Sequence, residues 1–320
     1  MRDFLHRLYP YQALKLMFQR VRLIVVKPNT PIGHSPPLCQ DSQPFDPDWA
    51  RSQLVTLFRA LKHTCKEHGH TNHGRLGSIR RSILHQQLGF HLEIGPSRIQ
   101  NAGLGVFLRG HRIIRPGSIV AMYPGTLYRP GEAIFFNSIQ NRYILKCNDG
   151  VYVDGKAKGL SGSIFRSANG RDNYPGITPT ADTTWMMDWN FQHSKKAAVS
   201  GQEVPGVTRI GSVLLKNPLA VGQIVNNGTK LFPPNVRYQE LDIRARECPL
   251  DLQEFLPNIW SSGDWHVHDH DHDSEAMEDV PVDWSEHSRN YLRTVILITT
   301  KHIEEDEELY STYIEENSFM

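Results

Sequence analysis

This chain of 320 residues reads as mainly β with α additions (α+β), with a small helical region toward its N-terminus. Three observations lead there. Two stretches between residues 48 and 89 repeat apolar residues at helical spacing. From about residue 90 the apolar runs become short and are punctuated by Gly, Pro, Asn and Asp, the texture of strands and tight turns. Hydrophobic residues make up 39% of the chain, below the usual globular share but well above the disordered range, so a core is expected.

The N-terminus is the basic part. Residues 1–90 carry 13 Lys and Arg against 5 Asp and Glu, whereas residues 301–320 carry 7 acids against Lys301 alone. Residues 1–27 form a basic leader with Arg2, Arg7, Lys15, Arg20, Arg22 and Lys27 against Asp3. That charge bias suits a mitochondrial transit peptide, but serine is absent and Pro10 interrupts it, which favours a plain basic, partly helical leader. Residues 28–47, rich in Pro, Ser and Asp, read as a linker.

A helical cap is expected over 48–89. Asp46 is a good N-cap, Pro47 suits the first helical position, and Leu54, Leu57, Phe58, Leu61 and Cys65 share one face before Gly69. "HTNHGRLG" reads as a loop, after which Ile79, Ile83, Leu84 and Leu88 repeat until Gly89.

Strands follow over 90–314. "GVFL" and "SIVAMY" are joined through a tight turn at Arg115, Pro116 and Gly117. "RYILKC" and "VYVDG" flank Asn148, Asp149 and Gly150, a hairpin signal. "VRYQELDI" (236–243) and "RTVILITT" (293–300) are further strands, the second apolar enough to be buried. Two polar insertions, at about 155–212 and 257–290, and an acidic tail at 315–320 complete the division.

Several classes are excluded or disfavoured. No run of 18 apolar residues is available to span a membrane. The basic N-terminal third lacks the interleaved aromatics of a nucleic-acid stacking surface, so nucleic acid is not the expected partner. Cys39, Cys65, Cys147 and Cys248 form no CxxC pair, so no metal site is expected and a reduced intracellular chain is. The nucleus or cytoplasm ranks ahead of the mitochondrion. "WHVHDHDHD" (265–273) offers imidazole and carboxylate ligands, but its polar setting reads as a solvated loop.

Four stretches could carry chemistry. "NAGLGVFL" holds Gly103 and Gly105, which let a backbone approach a ligand, or simply make a turn. "MYPGTLY" sets Tyr123 beside a sharp bend, lining a channel or buried with its hydroxyl satisfied locally. "QIVNNGTKLFPPNV" (223–236) pairs Asn226 with Asn227 and ends in Pro233, Pro234 and Asn235; amides and prolines of this kind shape a turn or hold a ligand. In "IEEDEELYSTY" the acids read as a solvated face and Tyr310 and Tyr313 as the informative part.

In this order the four resemble the SET domain, the fold of most protein lysine methyltransferases. The family pattern of a GxG strand, a tyrosine-glycine bend, Asn-His-Ser-Cys-x-Pro-Asn and Gly-Glu-Glu-Leu-x-x-x-Tyr is matched by Gly103-Leu104-Gly105, Tyr123-Pro124-Gly125, Asn226-Asn227-Gly228-Thr229 with Pro234-Asn235, and Asp306-Glu307-Glu308-Leu309 with Tyr313. The resemblance implies a β-clip-like SET fold, small sheets around a C-terminal pseudoknot, spanning roughly residues 85–314. It also implies S-adenosylmethionine as cofactor, held by the backbone of Gly103, Leu104 and Gly105, by Asn226 and Asn227, and bordered by Tyr313. Tyr313, Tyr123 and Tyr238 are implied as the lysine channel, with Tyr313 in the main catalytic role. The implied partner is a lysine-containing protein, met by a monomer. Gly228, Thr229, a longer spacer (Lys230–Pro233) and Asp306 depart from the pattern. They motivate an alternative, a SET-fold binding module with weak or no turnover.

Overall fold

The computed structural model describes residues 45–67, 73–110, 113–172, 181–187, 210–211, 215–262 and 290–312. The leader, nearly all of the linker, the His/Asp stretch, Tyr313 and the acidic tail lie outside the described residues. The expected α+β character holds, with small sheets predominating and helices at their flanks. Among the described residues no helix is long and apolar enough to cross a membrane.

Helix α1 (Pro47–Glu67) starts where its cap residue dictates. The Asp46 carboxylate accepts hydrogen bonds from the backbone N–H groups of Asp48 (2.9 Å) and Trp49 (3.2 Å), satisfying donors that have no partner within the helix. Leu54, Leu57, Phe58 and Leu61 are fully buried. Each burial contributes on the order of 2 kcal/mol. Phe58 stacks on Phe255 at 5.8 Å, and Arg51 donates from Nε to the Asp242 carbonyl at 2.6 Å. The apolar face of α1 therefore joins the same buried cluster as the strands.

Helix α2 (His73–Leu88) begins inside the stretch expected to be a loop. Gly74 and Gly77 weaken a helix without forbidding it, and Leu84, buried, and Ile83 repay the cost by packing. It ends at Gly89, whose N–H donates to the His85 carbonyl at 2.8 Å.

The strands form four small sheets among the described residues. In the first, β1 (His91–Pro96) pairs antiparallel with β2 (Leu104–Arg109) and with β7 (Ile210–Gly211). In the second, β11 (Tyr291–Thr299) lies between β3 (Ile119–Tyr123) and β9 (Val236–Arg244), antiparallel to both. Residues 292–299 are all buried, as a central strand covered on both faces requires. The third runs β10 (Asn258–Trp260), β4 (Gly125–Tyr128), β6 (Tyr152–Asp154), β5 (Ile144–Lys146). The fourth pairs β8 (Asn226–Asn227) in parallel with β12 (Tyr310–Ser311).

The turn at Arg115–Gly117 forms, with Ser118 N–H donating to the Arg115 carbonyl at 3.3 Å, but β2 and β3 then enter different sheets. The β5–β6 hairpin closes at Asn148–Gly150, where Cys147 N–H donates to the Val151 carbonyl at 2.8 Å. Both expected insertions contain core structure. Residue 257 leads straight into buried β10, and α3 (Gly159–Asp172) buries Phe165 edge-on to Trp185 at 5.0 Å. Their few apolar residues were outnumbered by polar neighbours, which hid the burial from a count of composition.

Candidate functional site

The segment 306–311 threads together three distant parts of the chain. Asp306 N–H donates to the Leu108 carbonyl at 2.9 Å, Leu108 N–H to the Glu307 carbonyl at 3.0 Å, and Leu309 N–H to the Val106 carbonyl at 2.8 Å, so this stretch runs against β2. It continues directly as β12 beside β8. Asn235 locks the arrangement from below. Its Nδ2 donates to the Glu308 carbonyl at 2.8 Å, its Oδ1 accepts from Tyr310 N–H at 2.7 Å, and its own N–H donates to the Tyr310 carbonyl at 2.9 Å. A fully buried amide with its polar atoms engaged in this way is hard to replace.

Glu308 is the centre of the site. The acids of "IEEDEELYSTY" were expected to form a solvated face; Glu304, Glu305 and Asp306 are exposed, but Glu308 is fully buried. Its Oε1 accepts from Ser97 Oγ at 2.7 Å and Asn226 Nδ2 at 3.4 Å; its Oε2 accepts from Arg98 N–H and the Tyr310 hydroxyl, at 2.7 and 2.8 Å. Burial and this carboxylate together hold the Tyr310 phenol above its ordinary pKa. Gly105 is what admits the carboxylate, because a Cβ there would sit 2.0 Å from Glu308 Oε1. Gly103 is exposed and has nothing within 4 Å of its Cβ direction. The carbonyl of Leu104 accepts from Asn226 Nδ2 at 2.8 Å.

The two amides of β8 have separate surroundings, as successive residues of an extended pair do. Asn226 reaches Leu104 and Glu308; the Asn227 side-chain oxygen is buried and has no hydrogen-bond partner among the described residues. Gly228 N–H donates to the Ser311 carbonyl at 2.8 Å, and a Cβ on Gly228 would stand 2.6 Å from Pro234 Cδ. The spacer beyond it is a closed turn. Thr229 N–H donates to the Phe232 carbonyl at 2.7 Å, and Phe232 N–H returns to Thr229 Oγ1 at 3.1 Å.

On the far side of β12 stand the tyrosines. Tyr123 is fully buried, donates its hydroxyl to the Tyr143 carbonyl at 2.7 Å, and meets the Tyr238 ring edge-on at 5.6 Å between centroids. The Tyr238 hydroxyl lies 3.1 Å from Ser311 Oγ. Asn258 Nδ2 donates to the Tyr123 carbonyl at 2.9 Å, and its Oδ1 accepts from Thr294 Oγ1 at 2.8 Å, fixing the bend after β3.

Leu104, Gly105 and Asn226 thus meet around Glu308 beside β12, with Asn227 next to them in β8; Tyr238 reaches β12 through Ser311 and Tyr123 packs on Tyr238, Gly103 stands exposed, and Tyr313 lies beyond the described residues. Ser97, Ser311 and the central position of Glu308 were missed. Their only signal was proximity in sequence to the glycine pair and to the final tyrosines.

A second charged cluster lies away from β12. Cys147, Asp149 and Glu240 bring ligand-type atoms within 4.8 Å of one another, as a metal site would. The positive charge facing them belongs to Arg293, whose Nη1 donates to Asp149 at 2.5 Å and lies 3.7 Å from Glu240. Burial, with the acidic neighbours, pushes the Cys147 thiol well above its usual range.

No family model matches the sequence. SET domain-containing protein 9 of Pongo abelii is 36% identical over 231 residues, covering 72% of this chain and 66% of that protein. Its namesake in Homo sapiens is 35% identical over the same length, covering 72% of this chain and 60% of that one. The chain belongs to the SET-domain family. It matches about two thirds or less of those relatives' own length. Within the SET-domain frame the departures have local reasons. Gly228 yields to the Pro234 ring, Thr229 closes the spacer turn, and Asp306, in place of glycine, takes a φ of 71° that Asp tolerates better than most residues.

Proposed function

We propose that this protein is an S-adenosylmethionine-dependent protein lysine methyltransferase, transferring a methyl group to the side-chain amine of a lysine-containing protein through a tyrosine-lined channel. One observation carries the reading: the two residues of β12 serve both halves of the required site. Tyr310 and Ser311 pair with Asn226 and Asn227, and the Ser311 hydroxyl contacts Tyr238, whose ring abuts Tyr123.

The residues fit the cofactor. The orphaned, buried oxygen of Asn227 calls for a donor, such as the exocyclic amine of adenine. Asn226 and the Leu104 backbone would hold the amino-acid end. When bound, the cofactor supplies a methyl group already activated by its sulfonium.

The protein's task is then positioning and desolvation. Tyr123 is anchored through its hydroxyl to Tyr143, so its ring serves as a fixed wall. Tyr238, its ring edge-on to that of Tyr123, presents a hydroxyl beside it, supported by Ser311. Against such an aromatic surface an ammonium loses hydration, which favours the neutral amine able to attack. Tyr313, two residues past β12, is assigned the orientation of that amine on the strength of the family resemblance. The alternative of an inert SET scaffold rested on Gly228, Thr229 and Asp306, and the packing reasons found for each support the catalytic reading instead.

Titration with S-adenosylmethionine, followed by labelling of a cell lysate with a methyl-labelled cofactor, tests the proposal. Wild type is expected to bind and transfer label; Tyr313→Phe is expected to bind comparably and transfer about a hundredfold less. Absence of cofactor binding by wild type would end this reading. Binding without transfer to any lysate protein would favour the inert scaffold.

A further inference from the structure

The turn ahead of β5 is held from inside the protein by one side chain. Asn141 is fully buried, and both ends of its amide are engaged. Its Nδ2 donates to Asp154 Oδ1 at 2.8 Å and lies 3.3 Å from Ser161 Oγ, while its Oδ1 accepts from the Tyr143 N–H at 3.0 Å. A flipped amide would set oxygen against Asp154 and N–H against N–H, so the orientation is fixed. Asp154, on β6, is buried too, and its Oδ1 also accepts from the Lys156 N–H at 3.1 Å. The β5–β6 ladder starts at Ile144 opposite Asp154, which leaves the Tyr143 N–H to Asn141. Gln140, just before it, takes a φ of 51°, a left-handed conformation unfavourable for a non-glycine residue. Such a turn persists where its surroundings over-determine it.

What Asn141 holds is the Tyr143 peptide, and the carbonyl of that residue is the partner of Tyr123. It accepts from the Gly155 N–H at 2.9 Å and from the Tyr123 hydroxyl at 2.7 Å. A carbonyl can only accept, so the phenol proton is committed to it and the phenol oxygen can then only accept in turn. A neutral amine carries N–H donors and one lone pair. An oxygen that takes one of those N–H groups leaves the lone pair for attack, whereas a phenol that turned its proton toward the amine would occupy the lone pair instead. β6 also fixes the ring, since a Cβ on Gly155 would stand 2.9 Å from Tyr123 Cε1. The carbonyl side of this arrangement is secured by the strand; the N–H side depends on Asn141.

We propose that Asn141, braced by Asp154, is a positioning residue for methyl transfer: it fixes the Tyr143 peptide, whose carbonyl fixes the direction of the Tyr123 hydroxyl. Asn141 acts through Tyr123 and touches neither the lysine nor the cofactor. The proposal rests on the reading that Tyr123 lines the lysine channel of a methyltransferase.

The test is a double-mutant cycle on the full chain, read as the initial rate of label transfer from methyl-labelled S-adenosylmethionine to a cell lysate. Asn141→Leu, close in volume, should lower the rate about tenfold or more while S-adenosylhomocysteine binds within about twofold of wild type. In a Tyr123→Phe background the same substitution should cost less than about twofold, because the hydroxyl it directs is gone. Losses that multiply would mean that Asn141 serves general packing, and they overturn the proposal; so does a Tyr123→Phe rate equal to wild type. The phenol gives a second readout that needs no turnover. In protein carrying tyrosine isotope-labelled at Cζ, the magnetic-resonance signal that vanishes in Tyr123→Phe should shift in Asn141→Leu, and an unmoved signal overturns the proposal. That signal decides the matter if Tyr123→Phe transfers too slowly to measure. Should Asn141→Leu fail to fold, Asn141→Asp, which keeps an acceptor for the Tyr143 N–H but sets oxygen against Asp154, takes its place in both measurements. Absence of transfer by wild type strikes instead at the methyltransferase reading, and this inference falls with it.

Discussion

Two buried charges in this molecule are handled in opposite ways. Arg293 on β11 is surrounded by carboxylates. Asp242 accepts from its Nε and, at 3.0 Å, from its Nη2; Asp149 accepts from Nη1, and Glu240 stands 3.7 Å away. Burial alone would lower the guanidinium's pKa, and the acids, Asp242 foremost, more than reverse it. Among the described residues Glu308 accepts its hydrogen bonds from neutral donors. The first cluster sets one guanidinium among three carboxyl groups and behaves as a staple between β9, β11 and the β5–β6 turn. The second is a node of hydrogen bonds that joins β12 to Ser97, Arg98 and Asn226.

The largest effect is expected from breaking the staple. Arg293→Met removes the cation that Asp149, Glu240 and Asp242 share, so stability should drop by about 3–5 kcal/mol in urea unfolding at neutral pH. The acid side distinguishes this from simple loss of packing. Glu240 already sits above the usual carboxylate range, through burial first and the nearby acids second, with Asn148 and Arg293 opposing. A raised carboxyl pKa destabilises the fold above it and releases that penalty as pH falls through it. The gap between Arg293→Met and wild type should therefore narrow on acidification. A gap constant with pH would mean that Arg293 matters for its volume and not its charge.

A smaller effect is expected when the other charge is displaced without being removed. Gly105→Ala places a methyl 2.0 Å from Glu308 Oε1, so the carboxylate must move off Ser97 and Asn226. Overpacking of this kind costs about 1–3 kcal/mol. Affinity for S-adenosylhomocysteine should fall with it, because the orientation of Asn226 is lost. Gly170→Ala, in open space on α3 and away from the site, is the control and should leave affinity close to wild type. Equal losses in both would detach the ligand site from Glu308.

The contrast also separates what could be read in the sequence from what could not. Helix α1 was legible because its signals are local: Asp46 and Pro47 at the start, and leucines and a phenylalanine on one face. β11 was legible because an apolar run that long has to be buried, and the hairpin because Asx-Gly dictates its own turn. Glu308 was not legible. Its burial depends on Ser97, 211 residues away, on Asn226, 82 residues away, and on a missing Cβ at Gly105. Within the acidic run nothing local distinguishes it from exposed Glu305. β10 and the start of α2 failed for a related reason, since polar or glycine-rich stretches were recruited by packing partners that composition does not reveal. The motif residues could be found by pattern, but the partner each one takes is a tertiary fact.

The smallest effect is expected at the other end of the acidic run. Asp306 stands where the family pattern has glycine, with φ at 71°, its side chain half-exposed and paired with Arg109. Asp306→Gly relieves about 1 kcal/mol of left-handed backbone strain and gives up an ion pair worth about as much or less. The two nearly cancel, so the melting temperature should hardly move, and the affinity for S-adenosylhomocysteine should not move at all, because Glu308 and Asn226 keep their partners. The methyl-transfer assay gives this variant its use. If Asp306 were a lesion that made the scaffold inert, restoring glycine would raise transfer well above wild type. If it is only a tolerated residue at a left-handed position, as its backbone bond to Leu108 and its solvent-facing carboxylate suggest, transfer stays at the wild-type level.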